Sequence, residues 1–244
     1  MSTPPTELVL LHGFTNTGAS WDEVVAALPQ TYRPHAPDLR GHGTASGARP
    51  VTLEAVLAEL DALAPPRFTL VGYSQGGRVA LHAALALAPR IERLLLIGAS
   101  PGIADPRERA ERRAADEALA AWTESVSIEQ FVERWAQTPV LADQAPAVRA
   151  AVTADRLRNT PEGLAAALRG LGTGTLPSLW DRLEEVTVPV ELIVGERDRK
   201  FRATAERMAR ALPDARLHVV PGAGHAVHLE DPWAVAALIV STSR

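Results

Sequence analysis

The sequence predicts an open, parallel α/β sheet with a helical insert, and three observations carry that reading. Short apolar runs alternate with longer amphipathic stretches. A Gly-x-Ser-x-Gly pentapeptide sits where one such run gives way to a helical pattern. A long segment rich in Ala, Glu and Arg, without a strand signal, separates the fourth run from the fifth.

The strands come first. Leu8–Leu11, Phe68–Val71, Leu94–Ile97, Val190–Val194 and Leu217–Val220 read as buried strands, and Tyr32–Ala36 as a weaker one. Helical periodicity fills the gaps at Trp21–Leu28, Leu53–Leu63, Gln75–Leu87, Ala203–Leu212 and Trp233–Val240. Strands alternating with helices imply βαβ units and a parallel sheet covered on both faces. A few residues precede the first run, too few for an antiparallel hairpin, so the sheet is expected to hold six parallel strands. The strandless segment predicts helices at Ala110–Trp122, Ile128–Gln137, Ala147–Arg158 and Glu162–Leu171. A structureless loop of that length is improbable. The expectation is a helical cap over residues 101–176, on a core domain made of 1–100 and 177–244. It would cover the carboxyl ends of the strands, where open α/β sheets bind ligands.

Composition narrows the class. The chain has 244 residues, a size that α/β folds reach as one unit. It has no cysteine, which excludes disulfides, thiolate metal sites and a cysteine nucleophile. No ligand cluster suggests a metal or other cofactor. The first residues lack a basic stretch followed by an apolar one, so no signal peptide is expected. No apolar run approaches the roughly 18 residues of a membrane span. The expected location is the cytoplasm. A net charge of −4 argues against a nucleic-acid partner. Lys200 is the only lysine, and arginine supplies the remaining basic side chains. Its planar fork suits carboxylates.

Chemistry concentrates at Gly72-Tyr73-Ser74-Gln75-Gly76. A strand before and a helix after make this a nucleophile elbow, the mark of the α/β-hydrolase fold. The sharp turn strains the serine and presents its hydroxyl at a helix N-terminus. The partners follow in the chain order serine, acid, histidine. Glu196 and Asp198 both lie past Val190–Val194. Asp198 lies further beyond the strand end and is the choice. His225 follows Leu217–Val220 through a Gly-rich lead-in, with His228 as competitor. The oxyanion hole is expected from the backbone N–H groups of Gln75 and of Phe14, in His12-Gly13-Phe14. His12 itself reads as a brace for the loop. For Asp38 and His42, in Asp38-Leu39-Arg40-Gly41-His42-Gly43, a structural role and a substrate contact weigh equally.

Arg78 lies four residues after Ser74, hence on the same helix face. That would place a cation above the serine, although a solvated or salt-bridged arginine is the ordinary alternative. Arg107, Arg109, Arg112 and Arg113 interleave with Glu108, Glu111, Asp116 and Glu117, the pattern of a solvated helix face. Spacing alone does not choose among them, nor among Trp122, Trp135, Arg156 and Trp180, which also fit a packed insert.

The longer motifs narrow the family. GYSQGGRVAL, SPGIADPRERAERRAAD, WAQTPVLA, RLRNTPEGLAAALRGLGTGTLPSLW and GERDRKF together resemble the menaquinone-biosynthesis 2-succinyl-6-hydroxy-2,4-cyclohexadiene-1-carboxylate (SHCHC) synthases, the MenH family. The resemblance runs from Leu8 to Trp233. Gln75 departs from the leucine common there, and the N-terminal hairpin is missing. The resemblance implies a triad of Ser74, Asp198 and His225, and a substrate site lined by Tyr73, Arg78, Arg112, Trp135 and Arg156. It implies a lyase that removes pyruvate from an enolpyruvyl tricarboxylate in a 2,5-elimination, with the serine as base. The small tricarboxylate is then the partner, to a monomer or small homo-oligomer. A serine hydrolase of a small carboxylic ester or thioester is the alternative. A catalytically inactive fold kept as a binding module is a third reading, against which the intact Ser, Asp and His speak.

Overall fold

Every position of Phe68–Tyr73 and of Val190–Gly195 is buried, which only a strand covered on both faces allows. The computed structural model describes residues 4–138 and 145–241. Its sheet has six strands: β1 (Thr6–Leu11), β2 (Tyr32–His35), β3 (Phe68–Tyr73), β4 (Ile91–Ile97), β5 (Val190–Gly195) and β6 (Ala215–Val220). They are parallel, in the order β2-β1-β3-β4-β5-β6. The chain starts near the middle, winds out to β2, returns across β1 to β3, and then runs to the other edge. β3, with the serine at its end, is therefore central.

Strand alternation divides the core in two. Val9, Leu11, Leu70, Leu94, Leu96, Leu192 and Val194 face α2 (Leu53–Leu63), α3 (Gln75–Ala86) and α8 (Arg199–Ala211). Leu8, Leu10, Val71, Tyr73, Leu95, Ile97 and Ile193 face α1 (Asp22–Ala27), α9 (Val227–Glu230) and α10 (Pro232–Ser241). The edge strands are less covered, which explains the faint apolar signal of Tyr32–His35. On the β6 edge, His218 meets the buried Glu191 of β5 at 2.6 Å.

Between β4 and β5 lie α4 (Pro106–Glu124), α5 (Ile128–Trp135), α6 (Pro146–Arg156) and α7 (Pro161–Leu171). Local chemistry sets their starts. Asp105 accepts from the Arg107 and Glu108 amides ahead of Pro106. Ser127 and Gln130 form a capping box. Thr160 accepts from Gly163 N–H, with Pro161 as the first helical residue. Asp198 does the same for α8, accepting from Phe201 N–H. α4 packs along α7, and two small clusters, around Ala120, Ala165 and Leu168 and around Phe131, Val132 and Leu164, fill the insert. Phe14, on the loop after β1, packs against both clusters and against the sheet core. It is the pivot between insert and sheet. Residues 139–142, the end of the WAQTPVLA motif, lie outside the described residues.

Candidate active site

Ser74 adopts φ 49°, ψ −106°, a left-handed conformation that costs a non-glycine residue about 1–3 kcal/mol. The surroundings enforce it. Its N–H bonds Ile97 O across the sheet, and its carbonyl accepts from Arg78 N–H inside α3. Glycines permit the turn. A Cβ at Gly76 would lie 2.3 Å from Leu11 O, and one at Gly72 would lie 2.6 Å from Gly76 O. So α3 sits directly on β1 and β3, with Ser74 at its N-terminus and only partly buried.

The other two residues arrive from the neighbouring strand ends. Asp198 lies just past β5, and His225 follows β6. Asp198 Oδ2 is 2.6 Å from His225 Nδ1, with both side chains buried. The Nδ1–H donates to the carboxylate. This leaves Nε2 as an acceptor facing the Ser74 hydroxyl at 3.4 Å, the longer of the two contacts. Glu230 holds the histidine loop: it accepts from Gly224 N–H at 2.8 Å and Ala226 N–H at 3.3 Å, and pairs with Arg197. Glu196, the other candidate acid, turns away and accepts from Gly222 N–H. His228, the competing histidine, is fully buried between Trp21 and Tyr73 and is not part of the chain to Ser74. Burial pushes it down to about 3, with His225 and His12 adding to the effect.

Gln75 opens α3, and Phe14 lies on the loop from β1, whose Leu11 pairs with Gly72 of β3. Neither amide has an acceptor among the described residues. Both N–H groups are thus unused among the described residues, and Gln75 follows Ser74 directly in the chain. The loop is braced from below: His12 Nδ1–H donates to Gly13 O at 2.9 Å, and Nε2 accepts from Leu39 N–H at 2.9 Å. Burial lowers the His12 pKa, consistent with a neutral ring. Asp38 accepts from Gly18 N–H, Thr44 N–H and the Thr44 hydroxyl, and His42 packs on His12 and Phe14. Both are turn-building residues here.

The remaining candidates divide into two groups. Tyr73 is buried against His225, and burial raises its phenol above the ordinary value. Arg156 is also buried. Its Nε donates to Thr15 Oγ1 at 3.2 Å, and desolvation lowers it to about 10 against the opposing pull of Tyr73 and Asp155. Trp135 lies edge-on to Phe14 at 5.2 Å between centroids and stacks on Phe131 at 5.7 Å. One turn along α3, Arg78 is lowered to about 10, first by burial and then by Arg112; Asp116 opposes. Arg112 is half-exposed and gives its Nε to Asp116 at 2.7 Å. Arg78 Nε is buried with no partner among the described residues. Asp116 bonds Arg112 and acts on Arg78 only through its charge, and the excess positive charge suits an anionic ligand. Arg107 and Arg113 stay exposed on α4. Trp122 and Trp180 are cation–π partners of Arg134 and Arg207.

Sequence reasoning passed over several residues that shape this region: Asp155, Asn159 and Glu230. Asp116 had appeared only as one charge of a solvated face. Its spacing of four from Arg112 was the available signal. Asp155 and Asn159 bond loop residues far away in sequence, and no local pattern marks such contacts. Among the described residues no cluster of His, Cys, Asp or Glu is arranged to hold a metal, and no helix is long and apolar enough to cross a membrane.

Known proteins resemble this chain in sequence and fold. Residues 8–238 match the alpha/beta hydrolase family. The chain is 40% identical over 235 residues to a putative 2-succinyl-6-hydroxy-2,4-cyclohexadiene-1-carboxylate synthase of Bacillus subtilis, covering 92% of this chain and 85% of that protein. It is 38% identical over 248 residues to the synthase of that name from Salmonella paratyphi A, covering 97% and 93%. Among solved structures, MenH from S. aureus superposes with a TM-score of 0.92 at 32% identity, covering 99% of this chain and 94% of that one. With the six-stranded parallel sheet and the near full-length matches together, the chain belongs to the alpha/beta hydrolase family and, within it, to the 2-succinyl-6-hydroxy-2,4-cyclohexadiene-1-carboxylate synthases.

Proposed function

We propose that this protein is a carbon–oxygen lyase that forms 2-succinyl-6-hydroxy-2,4-cyclohexadiene-1-carboxylate by 2,5-elimination of pyruvate from its enolpyruvyl precursor, in menaquinone biosynthesis. The observation that carries the reading is the joint presence of a Ser74–His225–Asp198 hydrogen-bonded chain and of the arginines Arg78, Arg112 and Arg156. The substrate bears three carboxylates. Guanidinium–carboxylate pairs are strong and orienting where water is scarce. An esterase with an apolar acyl pocket has no need of several.

In this reading Ser74, with its proton drawn to His225 Nε2, takes the proton α to the succinyl ketone. Asp198 fixes the histidine tautomer and stabilises the cation. The enolate oxygen is held by the Phe14 and Gln75 amides; one such donor is worth about 3–4 kcal/mol in related sites. Electrons returning from the enolate re-form the carbonyl and shift the ring double bond. They expel enolpyruvate, whose methylene carbon takes up a proton to give pyruvate. Tyr73 and Trp135 contribute shape, and the arginines fix the three carboxylates. Residues 101–176 act as a cap on the core of 1–100 and 177–244. The enzyme works in the cytoplasm, as a monomer or small homo-oligomer, without a cofactor.

The test is direct. Purified protein mixed with the enolpyruvyl precursor should release one pyruvate per SHCHC formed, followed through lactate dehydrogenase. Ser74→Ala should lower kcat by about 10³-fold or more. The same triad could instead transfer an acyl group from a small ester or thioester. That reading requires a Ser74 adduct detectable by mass spectrometry, whereas elimination leaves the serine unmodified.

A further inference from the structure

The loop of residues 13–18 carries the Phe14 amide and is strained. Thr15 adopts φ 71°, in the left-handed region that a β-branched residue avoids. A loop of this kind keeps its shape only where its surroundings over-determine it. His12 holds one end at Gly13 O and Asp38 the other at Gly18 N–H, and the restraints on the strained middle come from the C-terminal end of α6 and the turn behind it. Asp155, buried, accepts from Thr17 N–H at 3.0 Å, from Asn16 Nδ2 at 3.1 Å and from the Thr17 hydroxyl. Arg156 Nε donates to the Thr15 hydroxyl. Asn159, also buried, donates to Thr15 O at 2.8 Å and accepts from Gly43 N–H at 3.0 Å. Three successive residues of the loop are thus held by three residues of the insert.

We propose that Asp155 and Asn159 are positioning residues: through them the insert, and not the sheet alone, aims the Phe14 amide at the oxygen that becomes negative in the reaction. Neither residue touches substrate in this assignment. Arg156 binds on one side of the same helix end, while its neighbours set the loop on the other. The oxyanion hole is therefore completed only when α6 is docked. The inference rests on the elimination reading for its substrate but not for its geometry, because an oxyanion hole serves acyl transfer equally.

The experiment uses the whole enzyme and two variants. Asp155→Asn puts a donor against three donors. Asn159→Ala removes the bonds to Thr15 O and Gly43 N–H. Each should lower kcat for pyruvate release at least tenfold while KM changes less than threefold, since the lost contact acts on the developing charge. Hydrogen-exchange mass spectrometry should show amides of residues 13–18 exchanging at least tenfold faster, with β3 unchanged. A kcat within twofold of the parent in a folded variant overturns the proposal. So does a loss confined to KM, or an unaltered loop exchange. If Asp155→Asn does not fold, Asn159→Ala carries the comparison. If the parent enzyme releases no pyruvate, the elimination reading fails by itself. The kcat comparison is then made on p-nitrophenyl acetate.

Discussion

Arg78 combines burial, a partnerless Nε and a like-charged neighbour, Arg112, so its charge is poorly compensated by the protein itself. A bound carboxylate would compensate it. Arg78→Ala should lower kcat/KM for the tricarboxylate more than tenfold, about 1.4 kcal/mol or more of transition-state binding. Arg78→Lys should recover part of that, because a point charge replaces a planar fork. Steady-state kinetics of pyruvate release give both numbers. Asp116→Ala should raise KM by several-fold in the same assay, through loss of the bond that orients Arg112. The serine, the acid and the histidine were readable at this scale because strand ends and chain order mark them. The arginines were not. Their spacing fits a solvated face as well as a binding one, and resemblance to a family was needed to choose. The braces, Asp155, Asn159 and Glu230, act through long-range bonds to backbone amides, which leave no periodic or local trace in a sequence.

The strand–turn–helix unit β3–α3 depends on backbone contact that side chains would forbid. Gly76 lies so close to Leu11 O that one methyl group would separate α3 from β1. Gly76→Ala should therefore cost about 3 kcal/mol or more, at the upper end of overpacking penalties. The fall should be visible as a lower urea midpoint. Activity should disappear with it, because the Ser74 turn and the Gln75 amide move together. All six strands fall where apolar runs predict them, and the four insert helices begin near their expected positions. Their starts are sharpened by Asp105, Ser127 and Thr160, and three of the four open on a proline, Pro106, Pro146 or Pro161. The short α9 was missed. Four residues beside a Gly-rich turn carry no helical period, and its position follows from packing against Trp21, Tyr73 and β5.

For the molecule as a whole, burial of neutral imidazoles sets a lower limit on pH. His42 and His228 are each held at about 3, against 6.5 for an exposed ring, first by desolvation and then by neighbouring histidines. The folded state thus binds protons less readily than the unfolded chain. The resulting stability is fully present above pH 6.5 and is lost as pH falls below it. At pH 5 each ring should cost up to about 2 kcal/mol. Urea unfolding at pH 7 and pH 5 should show this loss. His228→Phe should flatten the difference by one ring's share, whatever it does to stability at pH 7. Composition and periodicity reveal the sheet, its six strands and the place of the insert. They cannot reveal which histidines end up dry, since that follows from how the loops after β1, β2 and β6 fold over one another.

β4 and β5 lie side by side in the sheet, with Ile97 opposite Ile193, although residues 98–189 separate them along the chain. The excursion leaves and re-enters the scaffold at adjacent points, so lengthening it or exchanging it adds little closure entropy. Substrate preference can be re-written there while the barrier-lowering trio stays in place. The bonds from Asp155 and Asn159 set a condition on such a swap. A foreign segment lacking an acceptor and an amide at those points would bring a new pocket but leave the anion-stabilising turn unsupported. Donor segments for grafting should be chosen first by whether they end a helix over Thr15 and Thr17, and only then by the pocket they bring.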